Sequence, residues 1–272
     1  YIEELNAADY PFDDMVHDDF KKFPGHWKDG KLYSVMVRFG LLGVSYNTKA
    51  VSDAEAASYK CFWKPELKGK VGHFDWHLPN LGQISLYNGN GKNLWNLDKG
   101  QWDKVKATAK TLRPQVGGFF DYGGTFNGLK TGEMLAMAGI GDWITGVLER
   151  DGAPVKSVIP KEGGIQFTES YSIGKGSSKA AIVKKFIQYM MSPEGQVKSA
   201  NMAAYPANIV TNKGRKALQD KNPKEAQRSN QVDGSPLDPV KLVKDGRIQY
   251  RDIPRQQSLE EWNDFWQEYK SA

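Results

Sequence analysis

A chain of 272 residues, 39% hydrophobic and 25% charged, has an ordinary globular composition and lies near the size at which one core gives way to two. Its net charge of +5 is spread along the chain without a basic block, which sets aside nucleic-acid binding, and no apolar run approaches the ~20 residues of a membrane helix. The single cysteine, Cys61, excludes an intrachain disulfide and any CxxC redox or metal motif.

Residues 5–27 are polar and loop-rich. Their adjacent acids, Asp13 with Asp14 and Asp18 with Asp19, point apart on a helix or a strand, so neither pair can flank one scissile bond and both read as solvated. Residues 32–46 are extended, with Val35, Val37 and Phe39 alternating against Ser34, Met36 and Arg38, which predicts a buried strand pair. Arg38 fits either a salt-bridged surface arginine or a grip on a ligand carboxylate. A short helix over 51–59 precedes a strand over 71–75, and beyond its carboxyl end, where open α/β sheets bind ligands, stand Trp76 and His77. His73 and His77 are four apart, but a strand running into a loop destroys the helical face that such a metal pair needs.

The pattern then predicts a helix beginning at Leu81, and a second one with Trp102, Val105, Ala109 and Leu112 on its core face, ended by Pro114. Residues 117–125 read as a strand and a glycine loop that opens a helix at Thr125. Neither GxGxxG nor GxxxxGK[ST] is present, so this is no nucleotide loop, although backbone N–H groups at Gly124 and Thr125 can receive an anion. A strand over 132–137 leads to Gly139, Ile140, Gly141 and Asp142, where Asp142 either caps the next helix or reaches a ligand.

Pro160 ends a short apolar run, and Gly163 and Gly164 turn the chain into a second strand. There Ile165, Phe167, Glu169 and Tyr171 share one face, which sets an acid between two aromatics. Glu169 is then either a solvated strand acid or the partner of a bound cation. Ser177 or Ser178 caps a helix carrying Ile182, Val183, Phe186, Ile187 and Met190, and Ser192, Pro193 and Glu194 open the next. Residues 213–239 read as short helices and loops, and 258–269 as an amphipathic helix with Leu259, Trp262, Phe265 and Trp266 on one face.

Several stretches, in order, resemble the spermidine/putrescine-binding group of ABC-importer substrate-binding proteins. They are Gly30-Lys31-Leu32-Tyr33-Ser34-Val35, Gly43-Val44-Ser45-Tyr46-Asn47-Thr48, Phe62-Trp63-Lys64-Pro65-Glu66-Leu67, Ser192-Pro193-Glu194, Tyr205-Pro206 with Asn208, and Pro160-Lys161-Glu162-Gly163-Gly164 followed by an aromatic and an acid. The resemblance implies an α/β, two-lobed type II periplasmic-binding fold with discontinuous lobes and a central ligand cleft. One lobe would hold residues 1–40 and 170–208, the other 41–169 and 209–272. Tyr1 to Leu5 resembles the start of a helix inside the first lobe, which implies that a secretion signal and the opening βα units lie upstream.

By resemblance, ligand-facing positions fall at Phe39, Glu169 and Tyr205, to which Arg38, Trp76, His77, Tyr122, Gly124, Thr125, Asp142, Phe167 and Gln249 are added as candidates. The group's acids near Trp76 and Pro79 are replaced here, and its aromatic near Gly139 is missing, with Trp143 the nearest substitute. The implied function is capture of a small amine-containing solute, an amino-acid derivative, opine-like compound or polyamine, by a monomeric periplasmic protein that delivers it to a membrane permease. No metal, cofactor or covalent chemistry is expected. The alternatives are an enzyme on the same fold using Glu169 with His77 or Asp142 as acid and base, and a sensory binding module.

Overall fold

The computed structural model describes residues 1–272. Its main strands are β1 (Val35–Leu42), β2 (Val44–Asn47), β3 (Val71–Phe74), β4 (Val116–Phe120), β5 (Ala136–Ala138), β6 (Val155–Val158), β7 (Gly164–Tyr171) and β8 (Ile248–Tyr250). Its main helices are α1 (His77–Tyr87), α2 (Lys99–Leu112), α3 (Tyr122–Thr131), α4 (Asp142–Arg150), α5 (Ala180–Met191), α6 (Pro193–Ala200), α7 (Asn212–Lys221), α8 (Pro223–Arg228) and α9 (Leu259–Ser271). Two compact units result: residues 1–40 with 168–244, and residues 41–167 with 245–272.

The first two crossings between units lie within two residues of the expected positions, at 40/41 and 167/168, inside β1 and β7. The third differs. Residues 209–244, expected in the second unit, belong to the first. The reason is apolar: Ile209, Leu218 and Ala226 bury against Ala200 of α6, with Val197 and Val232 packed alongside.

In unit 1, α6 is opened by Pro193 at its first position, with the Ser192 hydroxyl accepting from the Gly195 N–H. This sets Gln196 inside the unit, fully buried, where its amide donates to the Val37 and Met190 carbonyls (2.8 Å each) and accepts from the Val210 N–H (2.8 Å). Every polar atom of that amide group is partnered, which is the condition for burying it without penalty. Phe39 is also fully buried, its ring 5.0 Å from that of Phe20 and edge-on to it. The expected serine cap of α5 is not formed, since Lys179 occupies the cap position and the Ser177 hydroxyl accepts from the Lys179 N–H instead.

Unit 2 is built on a five-stranded sheet of order β4-β3-β5-β2-β6. Strand β3 runs parallel to β4 and β5, while β2 is antiparallel to β5 and β6. The three parallel strands therefore end together at Phe74, Phe120 and Ala138. Helix α9 docks by Trp262, which is fully buried and stacked on Trp102 of α2 at 4.9 Å, and by Trp266, whose indole N–H donates to Asp75 (2.8 Å).

Three boundaries differ from expectation. Helix α1 starts at His77 rather than Leu81, because Pro79 falls in its first turn, where a missing N–H costs nothing. Helix α3 starts at Tyr122 rather than Thr125, capped by Asp121, whose carboxylate accepts from the Gly124 N–H at 2.7 Å. The strand expected over 132–137 is only Ala136–Ala138, since Gly132, at φ +75°, ends α3 in the left-handed conformation that glycine adopts readily.

Candidate functional site

In unit 2 the candidates gather beyond the carboxyl ends of β3, β4 and β5, as a parallel sheet dictates. Phe74 closes β3, with Trp76 two residues on; Tyr122 opens the helix after β4; Trp143 lies in the helix after β5. Their rings form a continuous surface: Phe74 to Tyr122 at 4.6 Å, Phe74 to Trp76 at 6.5 Å, Tyr122 to Trp143 at 5.6 Å. Tyr122 is exposed and Trp76 half-buried, so the surface is open to a solute, with Phe74 and Trp143 beneath. Arg251, just past β8, places its guanidinium carbon 4.5 Å from the Trp76 ring centre. Arg251 and Phe74 were missed in the sequence, although the strand-end rule that selected Trp76 applies to β8 as well.

A polar support fixes Trp76. Asn80 donates to the Phe74 carbonyl (2.6 Å) and the Trp76 carbonyl (2.8 Å), and its own oxygen meets His73 Nδ1 at 2.6 Å. His73 Nε2 lies 3.1 Å from the Tyr269 hydroxyl. Both His73 nitrogens thus have partners in the interior, and burial pushes its pKa down to about 4, keeping it neutral. Gly139 lies over Asn80 with φ +77°, and a Cβ there would come within 2.4 Å of the Asn80 amide. No aromatic fits at that position, which leaves Trp143 to supply the ring.

Other unit 2 candidates are placed less favourably. His77 is half-buried, its Nε2 makes no hydrogen bond, and burial lowers its pKa. Asp142 does not cap α4 through its side chain; it accepts from the Leu41 N–H at 3.2 Å. Thr125 is fully buried, and the Gly124 N–H is taken by Asp121, so the anion-receiving helix start expected there is already filled by the chain's own carboxylate. Gln249 pairs with Ile165 in the β8–β7 ladder and donates weakly to the Gly246 carbonyl (3.4 Å). Phe167 is buried, 7% exposed.

In unit 1 the structure brings together Arg38, Glu169 and Tyr205. Arg38 Nε donates to Glu169 Oε2 at 2.5 Å, and its Nη1 donates to the Tyr205 carbonyl and the Met202 sulfur, both at 3.2 Å. The Tyr205 ring lies against the guanidinium face at 4.6 Å. The loop is held up by a backbone bridge in which the Asn208 N–H donates to the Phe39 carbonyl at 2.8 Å. Phe39, expected to face a ligand, is core.

The model of a family described as bacterial extracellular solute-binding protein matches residues 1–224. The spermidine/putrescine-binding periplasmic protein 1 of Haemophilus influenzae is 24% identical over 219 residues, 80% of this chain and 58% of its own length. The chain therefore spans little more than half of that curated relative. Among solved structures, the putative spermidine/putrescine ABC transporter from Listeria monocytogenes aligns over 99% of this chain and 78% of its own, with a TM-score of 0.76 at 18% identity. The periplasmic binding protein MotA of A. tumefaciens B6, in complex with glucopine, aligns over 99% and 77%, with a TM-score of 0.66 at 17% identity. Both share the fold of this chain, and no helix of this chain is long and apolar enough to cross a membrane. With four-fifths of its sequence matched by that family model, the chain belongs to the bacterial extracellular solute-binding protein family.

Proposed function

We propose that this chain is the substrate-binding component of an ABC importer, a monomer working in the periplasm that captures a small amine-containing organic solute and delivers it to a membrane permease. The observation that carries this reading is the surface of Phe74, Trp76, Tyr122 and Trp143 at the ends of three parallel strands. Aromatic faces attract a cation through the ring quadrupole, and Arg251 over Trp76 is an instance within the chain itself. The solute class extends from polyamines, named for the Haemophilus relative, to the amino-acid derivatives and opine-like compounds exemplified by the glucopine complex. Closure of the two lobes on the solute belongs to the same proposal; what supports it is the family, and a radius of gyration unchanged by saturating solute would rule it out. The capture reading is tested by denaturing protein purified without refolding and identifying by mass spectrometry the small molecule released. An amine-bearing compound near one per chain is expected; a protein that carries none and is stabilised by no amine tested would contradict the reading.

A further inference from the structure

The Arg38–Glu169 pair presents two charges of opposite sign and uses only part of its bonding capacity. One bond, Nε to Oε2, joins the two side chains, where a guanidinium and a carboxylate can make two parallel ones. Nη1 is directed to the Tyr205 carbonyl and the Met202 sulfur, which leaves Nη2 and the second carboxylate oxygen, Oε1, without a hydrogen bond in the chain. Glu169 keeps 33% of its side-chain surface exposed and Arg38 12%, so both are reachable yet partly desolvated. The Tyr205 ring, 4.6 Å from the guanidinium carbon, fixes the plane of the fork.

A diamine offers only donors and positive charge. Its ammonium at Glu169 would sit beside a guanidinium already bound there, and like charges at such range repel. A molecule carrying both an ammonium and a carboxylate meets no such conflict, since the ammonium can donate to Oε1 and the carboxylate accept from Nη2, giving four charges of alternating sign. We propose that Arg38 and Glu169 together recognise a zwitterion, a solute with a free amino group and a carboxylate, and that Arg38 is the residue that turns the site against polyamines. This rests on the solute-capture reading and narrows its ligand class.

The test compares amino acids with the amines that differ from them only by loss of the carboxylate: ornithine with putrescine, lysine with cadaverine, arginine with agmatine. Titration calorimetry on the wild-type chain is expected to show, in at least one pair, the amino acid binding about tenfold or more tighter than its amine, with the amine tighter in none. In Arg38→Gln, checked by circular dichroism for its fold, that preference is expected to collapse toward one. Equal or tighter binding of the amines, or binding of neither member of any pair, would overturn the zwitterion proposal. The broader capture reading fails separately, on the release experiment above, if no small amine is carried by the protein or stabilises it.

Discussion

Trp76 carries the aromatic surface at the scale of single residues. It is half-buried, packs on Phe74 at 6.5 Å and takes Arg251 on its face, so its removal opens no cavity in the core. Trp76→Ala is expected to weaken solute binding by about 1–2 kcal/mol, the range of aromatic and cation–π contacts, while lowering the stability of the solute-free chain by less than about 1 kcal/mol. Calorimetry and thermal unfolding on the same preparation check both, and a large stability loss with unchanged affinity would make Trp76 a core residue. Trp76 was legible because a strand pattern ends beside it. The Arg38–Glu169 bond was not, since the two lie 131 positions apart and which rows of two strands face each other depends on register that one sequence does not display. Phe39 differs for another reason: the alternation predicted a buried strand, as found, and only the resemblance assigned it a ligand-facing role, which its full burial against Phe20 does not allow.

Among the elements, β3, α1 and α9 are tied together by His73, which joins Asn80 to Tyr269. Burial holds the folded-state pKa of His73 at about 4, against an ordinary value of 6.5. Between those values the unfolded chain binds a proton that the folded chain does not. The contribution of His73 is therefore fully present above about pH 6.5 and is lost as pH falls toward 4, on the order of 3 kcal/mol in all. His26, also pushed by burial to about 4, adds a slope of the same sign in unit 1. Urea unfolding at pH 7 and pH 4.5 is expected to show this loss, and His73→Gln to remove about half of it; equal slopes in the two proteins would mean that His73 is not held neutral. The helices themselves were legible from period and caps, and their starts less so. Pro79 is tolerated in the first turn of α1, and Asp121 caps α3 so that it starts at Tyr122, three residues ahead of the expected Thr125.

For the whole molecule, the two-unit division follows from three crossings, and the sequence revealed the two that fall within strands. The third was hidden because residues 209–244 are polar and short-helical, and their few apolar side chains, Ile209, Leu218 and Ala226, declare their allegiance only by packing on Ala200. The proposed role of the whole molecule is reversible capture without chemistry. Thermal unfolding of the wild-type chain across a set of amine-bearing solutes, with nuclear magnetic resonance of each mixture afterwards, tests it most directly. A ligand at a hundred times its dissociation constant stabilises the folded state by about 2.7 kcal/mol. At least one such solute is expected to raise the transition saturably and to be recovered intact; conversion of the solute to product, or no shift with any amine up to millimolar concentration, would rule capture out.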